Sequence, residues 1–451
     1  MPLPRSSRDV VADHATRKID VAFVIDPGPP AQFGAVEVRG AERFEEELLR
    51  SRAGIPLGEP YSPDTLKAAR KRLAKLDCVR GVRIIEGDAP DSAGRIPIII
   101  DVTERKAHYI GANAAMSSVD GAEIGGYWGH RNVFGNGESL RLDATLSNLG
   151  SKTARDLEYE AKISLTRPSI ASAHTDYGTS LSIQHEAPES YDSDKSTLSV
   201  GVTHQFSPDL TGKVAVASSW IATVDAFGSA EYFLLSLPGE LVCDTRDNQL
   251  DPHSGWRAAL TAEPATDIRN GTAFIRTRAQ LSGYAEIAKS DGIVSPESAS
   301  EGTGSQWSGP QGIVATGRIA AGTIAGADIQ DVPVTSRFLA GGGGSVRGYT
   351  FRSIGPGFAD EVTGGLSIVE ASAELRIQVT ETVGLVPFVD AAFVTGDSFF
   401  GGDSETALGV GFGLRYRTAI GPIRFDVATP LINKLAGDPE VVFYVGLGQA
   451  F

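Results

Sequence analysis

The chain has 451 residues and a formal net charge of −15, which disfavours nucleic acid and anionic lipid headgroups as its main partners. This length predicts two or more domains, and 52 glycines against two methionines favour strands and tight turns over helices. Cys78 and Cys243 lie far apart, so the sequence predicts neither a disulfide framework nor a metal site. No run of about 18 apolar residues is present, so no transmembrane helix is expected.

The N-terminal segment, residues 1–28, contains one apolar stretch, "IDVAFVIDPGPP", which reads as a strand that ends in a Pro-Gly turn. We find no partner strand for it elsewhere in the chain. We therefore interpret residues 1–28 as the remnant of a preceding domain and expect the sequence to be truncated at its N-terminus.

Residues 29–105 predict a small α+β domain with the element order β-α-α-β-β. Gly54 closes the first helix, where a left-handed backbone costs little in glycine. Ser62 and Pro63 mark the N-terminus of the second helix. One face of that helix is apolar and carries Leu66, Ala69, Leu73 and Leu76.

From residue 106 onward, apolar and polar residues alternate strictly, which indicates strands with two different faces. In "VEASAELRIQ" (369–378), for example, valine, alanine, leucine and isoleucine alternate with glutamate, serine, arginine and glutamine. The predicted strands are 107–117, 122–130, 138–147, 155–166, 177–188, 195–206, 211–223, 231–243, 255–266, 272–287, 311–322, 366–378, 383–395, 405–417, 421–429 and 440–451.

These strands favour a membrane barrel over a soluble β-sandwich. Each has about ten residues, the length that a tilted strand needs to cross a bilayer. The polar face of many strands carries several charges, which suits a water-filled lumen. We therefore predict a mainly β protein, with a 16-stranded antiparallel transmembrane β-barrel over residues 106–451.

Several motifs together resemble the Omp85 superfamily of outer-membrane assembly and secretion proteins. The small domain is similar to a POTRA domain of that family. The matching segments are "GYWGHRNVFGNGESL" (126–140), "DTRDNQLDPHSGW" (244–256), "VRGY" (346–349), "PFVDAAFV" (387–394) and "GPIRFDVATPL" (421–431). Within the superfamily, "FVIDPGPPAQFGAVEVRG" and "HRNVFGNGE" look most like the outer-membrane subunits of translocation and assembly modules, the TamA type.

The resemblance gives a role to the motif Val346, Arg347, Gly348 and Tyr349, which follows four glycines. In the family the sixth loop, here residues 323–365, folds into the lumen, and its arginine docks on carboxylates of the inner wall. Residues along a strand face inward and outward alternately, and this alternation places Glu374 and Asp390 on the inner face of two adjacent strands. A guanidinium group matches carboxylates bidentately, so we expect Arg347 to bind these two residues.

The same residues admit other interpretations. "GGGGSVRG" lacks the ending of a phosphate-binding loop and opens onto no helix, and an arginine in a loop is by default solvated. Glu374 and Asp390 could form an acid and base pair, although no other catalytic group accompanies them. The sequence has no G-x-S-x-G and no H-E-x-x-H, so we expect no enzyme, no cofactor and no metal.

The last strand carries two further features. Gly446 and Gly448 weaken strand pairing and predict a kink or an easily opened seam with the first strand, although such glycines can merely make room for the loop. Tyr444, Gly446 and Phe451 also resemble the C-terminal signal read by barrel-assembly machinery. Gln449 departs from that pattern, because an apolar residue is usual at its position.

The resemblance implies a protein of the bacterial outer membrane, with its POTRA domain in the periplasm and a monomeric barrel. We expect it to promote folding, insertion or translocation of unfolded β-barrel and autotransporter clients through the seam. Its other expected partners are outer-membrane lipid and a long, inner-membrane-anchored periplasmic protein of the TamB kind. The alternatives are a two-partner secretion pore that exports an unfolded polypeptide and a simple diffusion porin.

Overall fold

The computed structural model describes residues 5–13, 18–26, 30–151, 157–288, 312–359, 361–418, 421–433 and 440–447. Two compact units are present. One comprises Met1–Tyr109, Gly129–Leu140 and Leu165–Tyr177, and the other comprises Ile110–Trp128, Arg141–Ser164 and Gly178–Phe451.

The first two strands correct one sequence-based interpretation. Strand β1 (Arg5–Asp13) pairs along its whole length with strand β2 (Lys18–Asp26) as an antiparallel two-stranded sheet. The expectation that the strand in residues 1–28 lacks a partner is therefore wrong. The partner was missed because "RSSRDVVAD" is rich in charge and has no apolar alternation, which is the usual signal of a strand.

The small α+β domain follows, with the predicted element order. Its elements are β3 (Gln32–Arg39), α1 (Glu46–Ala53), α2 (Pro63–Ala74), β4 (Val79–Glu86) and β5 (Arg95–Glu104). β5 is the central strand, parallel to β3 and antiparallel to β4. Gly54 has φ 54°, the left-handed conformation expected at the end of α1.

The core of this domain comes from one face of each element. Alternate residues of β5 are buried, and they pack with Leu66, Ala69 and Leu73 on the apolar face of α2. Leu76, which the sequence predicts on the same helix face, lies two residues beyond the end of α2 and is also buried in this core. Cys78 belongs to the same cluster and is only 1% exposed. Burial raises the pKa of the Cys78 thiol to about 12, so very little of the reactive thiolate exists near neutral pH.

This burial makes Cys78 a reporter of the domain's stability. Leu73→Ala should accelerate maleimide labelling of Cys78 about 30-fold or more, because such cavity-forming changes cost about 2–5 kcal/mol and make opening more frequent. Labelling is followed by mass spectrometry, with Lys67→Ala on the exposed face of α2 as the control. Equal labelling rates in Leu73→Ala and the wild type would contradict this description of the core.

The remaining strands build a closed antiparallel barrel, except for a short hairpin formed by β18 and β19. They are β6 (His108–Ser117), β7 (Gly121–His130), β8 (Ser139–Leu149), β9 (Glu158–Arg167), β10 (Thr175–Glu186), β11 (Asp192–Gln205), β12 (Leu210–Asp225), β13 (Gly228–Ser236), β14 (Gly239–Asp244), β15 (Gly255–Asp267), β16 (Ala273–Ala288), β17 (Gly312–Ala325), β18 (Gly357–Phe358), β19 (Glu361–Val362), β20 (Ser367–Gln378), β21 (Val383–Thr395), β22 (Ser404–Thr418), β23 (Gly421–Pro430) and β24 (Val442–Leu447).

The barrel has sixteen strands because β13 and β14 are two halves of one strand. Both halves pair with β12 on one side and with β15 on the other. The interruption falls at Leu237 and Pro238, and proline has no N–H to donate to the sheet. The predicted sixteen-stranded barrel is confirmed. Every strand end lies within three residues of its expected position, except the end of β24, whose predicted end at residue 451 lies outside the described residues.

The two faces of the barrel follow the alternation in the sequence. Phe412, Leu414 and Tyr416 of β22 point outward and are between 43% and 71% exposed, as suits side chains that meet lipid. Along β20, Glu370, Ser372, Glu374 and Arg376 face inward and are buried. No helix in the described part of the chain is both long and apolar enough to span a bilayer.

Candidate functional site

The connection between β17 and β20 packs against the inner face of the barrel. Apolar residues of this loop form one buried cluster with inward-facing residues of the strands. The loop contributes Val332, Val334, Phe338, Ala340, Val346, Tyr349 and Ile354, and the wall contributes Ile221, Tyr232, Leu234, Ile324, Ile368 and Val394, among others. The loop and the inner wall of the barrel thus share one apolar core.

Two residues of the glycine run give the loop its sharp bend. Gly341 and Gly342 have φ 107° and φ 89°, a region that side chains with a Cβ rarely adopt. The Gly342 amide donates to the carbonyl of Tyr349 at 3.1 Å, and this contact closes the turn around residues 343–348. Gly344 has open space where a Cβ would lie, so the bend does not depend on it.

Arg347 is the centre of the site, and its side chain is only 2% exposed. Its Nε and Nη2 donate to the two carboxylate oxygens of Asp390 at 2.7 and 3.0 Å, which is a bidentate pair. Its Nη1 lies 2.9 Å from Glu374 Oε1 and 3.2 Å from Asp426 Oδ2. The guanidinium carbon stacks 3.4 Å above the Phe388 ring centre, a cation–π contact.

The structure therefore brings Arg347, Glu374 and Asp390 together and adds Asp426, which the sequence analysis missed. Asp426 lies in "IRFDVA" on β23, and its side chain is fully buried. The same pleat count that selected Asp390 applies there, because Asp426 alternates with outward-facing Phe425. The alternation along β23 therefore already predicts that Asp426 points inward, but the sequence analysis considered only two carboxylate partners for Arg347.

Further arginines balance the charge of these carboxylates. Arg415 binds Asp426, Arg376 Nε lies 3.4 Å from Glu374, and Arg424 Nε lies 3.7 Å from Asp426. Buried charges are tolerated only when they are paired, and each of these carboxylates has at least one arginine partner inside the barrel. Glu374 and Asp390 are both engaged by Arg347, and this arrangement does not suit an acid and base pair.

Close backbone approach completes the anchor. Gly348 has φ 102°, and a Cβ at this position would lie 2.9 Å from the carbonyl carbon of Thr429 on β23. A Cβ on Gly409 of β22 would overlap the carbonyl oxygen of Arg347. The hydroxyl of Tyr349 accepts from the Leu408 amide at 3.2 Å, and Val346 is fully buried in the loop cluster.

Two more arginines attach the loop to the barrel wall elsewhere, and no pattern in the sequence indicates either contact. Arg337 Nη1 lies 2.8 Å from Asp225 at the end of β12, and both side chains are nearly inaccessible to solvent. Arg352 forms an ion pair with Glu186 at the end of β10. Both partners are far from the loop in sequence, and the loop follows no repeating pattern from which its contacts could be counted.

The predicted residues of the last strand are only partly described. Tyr444 faces inward and is 4% exposed, and Gly446 pairs with Arg424 of β23. Gly448 and Phe451 lie outside the described residues. Only Tyr444 and Val445 of β24 pair with β6, through Ser117 and Met116, whereas β23 and β24 share six pairs.

A possible metal group lies elsewhere in the described part of the barrel. His185, Asp192 and Asp194 offer ligand atoms within 4.8 Å of one another. His185 Nδ1 is already 3.0 Å from Asp194 Oδ1, so a hydrogen bond between these two residues accounts for the pair.

A closed sixteen-stranded barrel, a loop held inside it by a buried arginine and a preceding α+β domain define a class of outer-membrane barrel proteins. Residues 132–451 match the family model described as "Omp85 superfamily domain". Residues 31–105 match the POTRA model, described as "Surface antigen variable number repeat". The chain belongs to the Omp85 superfamily, and it is a protein of the bacterial outer membrane with its POTRA domain in the periplasm.

Two curated relatives are outer membrane protein assembly factors named BamA. The protein of Neisseria meningitidis serogroup B is 23% identical over 97% of this chain and 58% of its own length. The protein of Nitratidesulfovibrio vulgaris is 33% identical over 27% of this chain and 16% of its own length. The chain thus spans less than two thirds of either relative.

Solved structures share the fold. BamA from Haemophilus ducreyi lacking POTRA domains 1–3 has a TM-score of 0.74 at 17% identity, with 99% of this chain and 90% of that chain covered. CdiB from Acinetobacter baumannii has a TM-score of 0.64 at 12% identity, with 98% and 78% covered.

The close approach at Gly409 can be tested without removing any charge. Gly409→Ala should displace the backbone of Arg347 and accelerate tryptic cleavage within the loop at least about fivefold, as expected when overpacking a tight contact costs about 1–3 kcal/mol. Gly283→Ala in β16 is the matched control, because no atom lies within 4 Å of its added Cβ. If both variants resist trypsin equally, the loop does not depend on this contact.

Proposed function

We propose that this protein is an outer-membrane assembly factor that promotes folding and insertion of other β-barrel proteins through a lateral seam between β6 and β24. The observation that carries the proposal is the weak pairing of these two strands. They share two residue pairs among the described residues, whereas β21 and β22 share thirteen. The likeness to the two BamA outer membrane protein assembly factors supports the same function.

The composition of β6 is consistent with a seam that opens at low cost. "HYIGANAAMS" contains one β-branched residue, and small side chains make few cross-strand contacts. Gly446 and Leu447 of β24 are described but have no partner in β6. The backbone groups at this junction are therefore the ones that separate most easily.

An opened seam would supply what a client strand needs. No unpaired strand edge is stable in hydrocarbon, because each unsatisfied backbone group costs several kcal/mol there. The free edges of β6 and β24 would pair with client strands by β-augmentation. The client's own folding provides the free energy, so neither a nucleotide nor a catalytic group is required, and the protein is not an enzyme.

The filled lumen favours this function over the two alternatives. A diffusion porin needs an open channel, whereas here the loop packs a buried apolar cluster against the wall. A two-partner secretion pore has to clear the same lumen for its polypeptide. The likeness to CdiB is one of fold, at 12% identity.

The identity of clients and partners is a finer part of the proposal. We expect autotransporter barrels among the clients, as for TamA-type subunits, and a TamB-like protein as the periplasmic partner. Both expectations rest on the motifs "FVIDPGPPAQFGAVEVRG" and "HRNVFGNGE". Co-purification of a TamB-like protein with this protein would support this finer assignment, and its absence from the purified material would argue against it.

The function is tested by client folding in liposomes. An unfolded autotransporter barrel is added to vesicles with the wild type, with Arg347→Ala or with no protein. The wild type should accelerate folding, and Arg347→Ala should do so less, because breaking a buried ion pair costs about 3–5 kcal/mol. Vesicles that conduct ions without accelerating folding would contradict the proposal and favour a pore.

The seam is tested by a disulfide lock. Met116→Cys with Val445→Cys places cysteines on paired residues of β6 and β24. The oxidised protein should lose its acceleration of client folding, and a reductant should restore it. Val427→Cys with Phe443→Cys, paired across β23 and β24, is the control and should stay active when oxidised. A locked seam that still accelerates folding would refute the lateral route.

A further inference from the structure

The end of the seam where β6 finishes is closed by more than strand pairing. The Ser118 amide donates to the carbonyl of Phe443 at 3.0 Å, and the Phe443 amide donates to the Ser118 hydroxyl at 3.1 Å. Val119 packs beside Val442 and Tyr444 in a small buried cluster. The turn between β6 and β7 is therefore attached to the last strand.

The arginine-bearing loop contacts both sides of this junction. On the side of the last strand, the Gly348 amide donates to the Tyr444 hydroxyl at 3.1 Å. On the side of the first strand, the Phe351 amide donates to Asp120 Oδ1 at 3.0 Å. Asp120 belongs to the turn after β6, and its own amide donates to the Ser117 hydroxyl at 3.2 Å. Four consecutive loop residues, 348–351, thus bridge the first and last strands.

We propose that residues 348–351 form a clasp across the seam, with Tyr444 and Asp120 as its two attachment points. This inference rests on the proposed lateral route and adds a regulatory step to it. β6 and β24 cannot separate completely at this end while both attachments hold. Separation therefore starts at the opposite, periplasmic end, where the described parts of β6 and β24 share no residue pairs with each other, and it finishes only when the clasp releases.

The two attachments differ in strength, and this difference determines which one releases first. Next to Gly348, Arg347 is buried in its carboxylate network, and Tyr349 is held by the backbone of β22. On the other side, Phe351 is 37% exposed, and its amide makes one hydrogen bond to Asp120. A single hydrogen bond contributes far less than a buried, bidentate ion pair. The clasp therefore opens at Asp120 and stays with the last strand.

Hydrogen–deuterium exchange of the protein in lipid nanodiscs tests this order. Asp120→Ala removes the acceptor and should raise exchange of the Ser118 and Phe443 amides about tenfold or more, the range expected for one lost hydrogen bond to a charged group. The Arg347 amide, which donates to Asp390 at 3.2 Å, should keep its protection. Asp120→Asn retains an acceptor oxygen and should stay close to the wild type.

Two results would overturn the clasp. One is unchanged exchange at Ser118 and Phe443 in Asp120→Ala, and the other is equal loss of protection at Arg347, which would mean that the loop releases as one body. If Asp120→Ala does not form a barrel, Tyr444→Phe tests the other attachment. It should raise exchange at Gly348 and Phe443, and an unchanged rate at Phe443 would again refute the clasp.

This measurement needs no client, so it is independent of the liposome assay. In one outcome, the wild type accelerates client folding while Asp120→Ala leaves hydrogen exchange at Ser118 and Phe443 unchanged. That result would refute the clasp but not the assembly function. If instead Asp120→Ala raises exchange at these amides and the wild type does not accelerate client folding, the assembly function is refuted and the clasp remains a property of the barrel.

Discussion

A guanidinium group buried inside the barrel is the interaction on which the rest of the structure depends. Burying Arg347 alone would cost several kcal/mol, and burying Asp390, Glu374 and Asp426 alone would cost as much for each ion. Each side compensates for the desolvation of the other, so neither the loop nor the wall is stable in this form without its partner. The ion pairs thus determine where the loop lies.

Backbone geometry makes this interaction possible. The arginine reaches the wall because Gly348 lies against β23 and because Gly409 leaves space for the Arg347 carbonyl on β22. The same segment continues to Tyr444 and Asp120 at the seam. One short stretch of chain therefore connects the charged network of the wall with the seam between β6 and β24. The proposed clasp predicts that a change at either place affects the other through this stretch.

The barrel could be predicted from the sequence because its strands repeat with a period of two. Once the strand positions are known, each inward-facing residue follows from counting, and Glu374 and Asp390 were found in this way. The same alternation along β23 also predicts the inward position of Asp426. The contacts of Arg337, Arg352 and Phe351 were not predictable, because the loop has no period and its partners lie up to 231 residues away. The hairpin of β1 and β2 was missed for a related reason, since its polar first strand lacks an apolar pattern.

The most direct test of this account is a double-mutant cycle between Arg347 and Asp390. The opening free energy of the loop is measured by hydrogen exchange of residues 345–350 in the wild type, Arg347→Ala, Asp390→Ala and the double variant. Since each single change leaves a buried charge without its partner, the effects should be non-additive, with a coupling energy of about 1.5 kcal/mol or more. Additive effects would show that Arg347 is an ordinary loop charge and that another interaction holds the loop in the barrel.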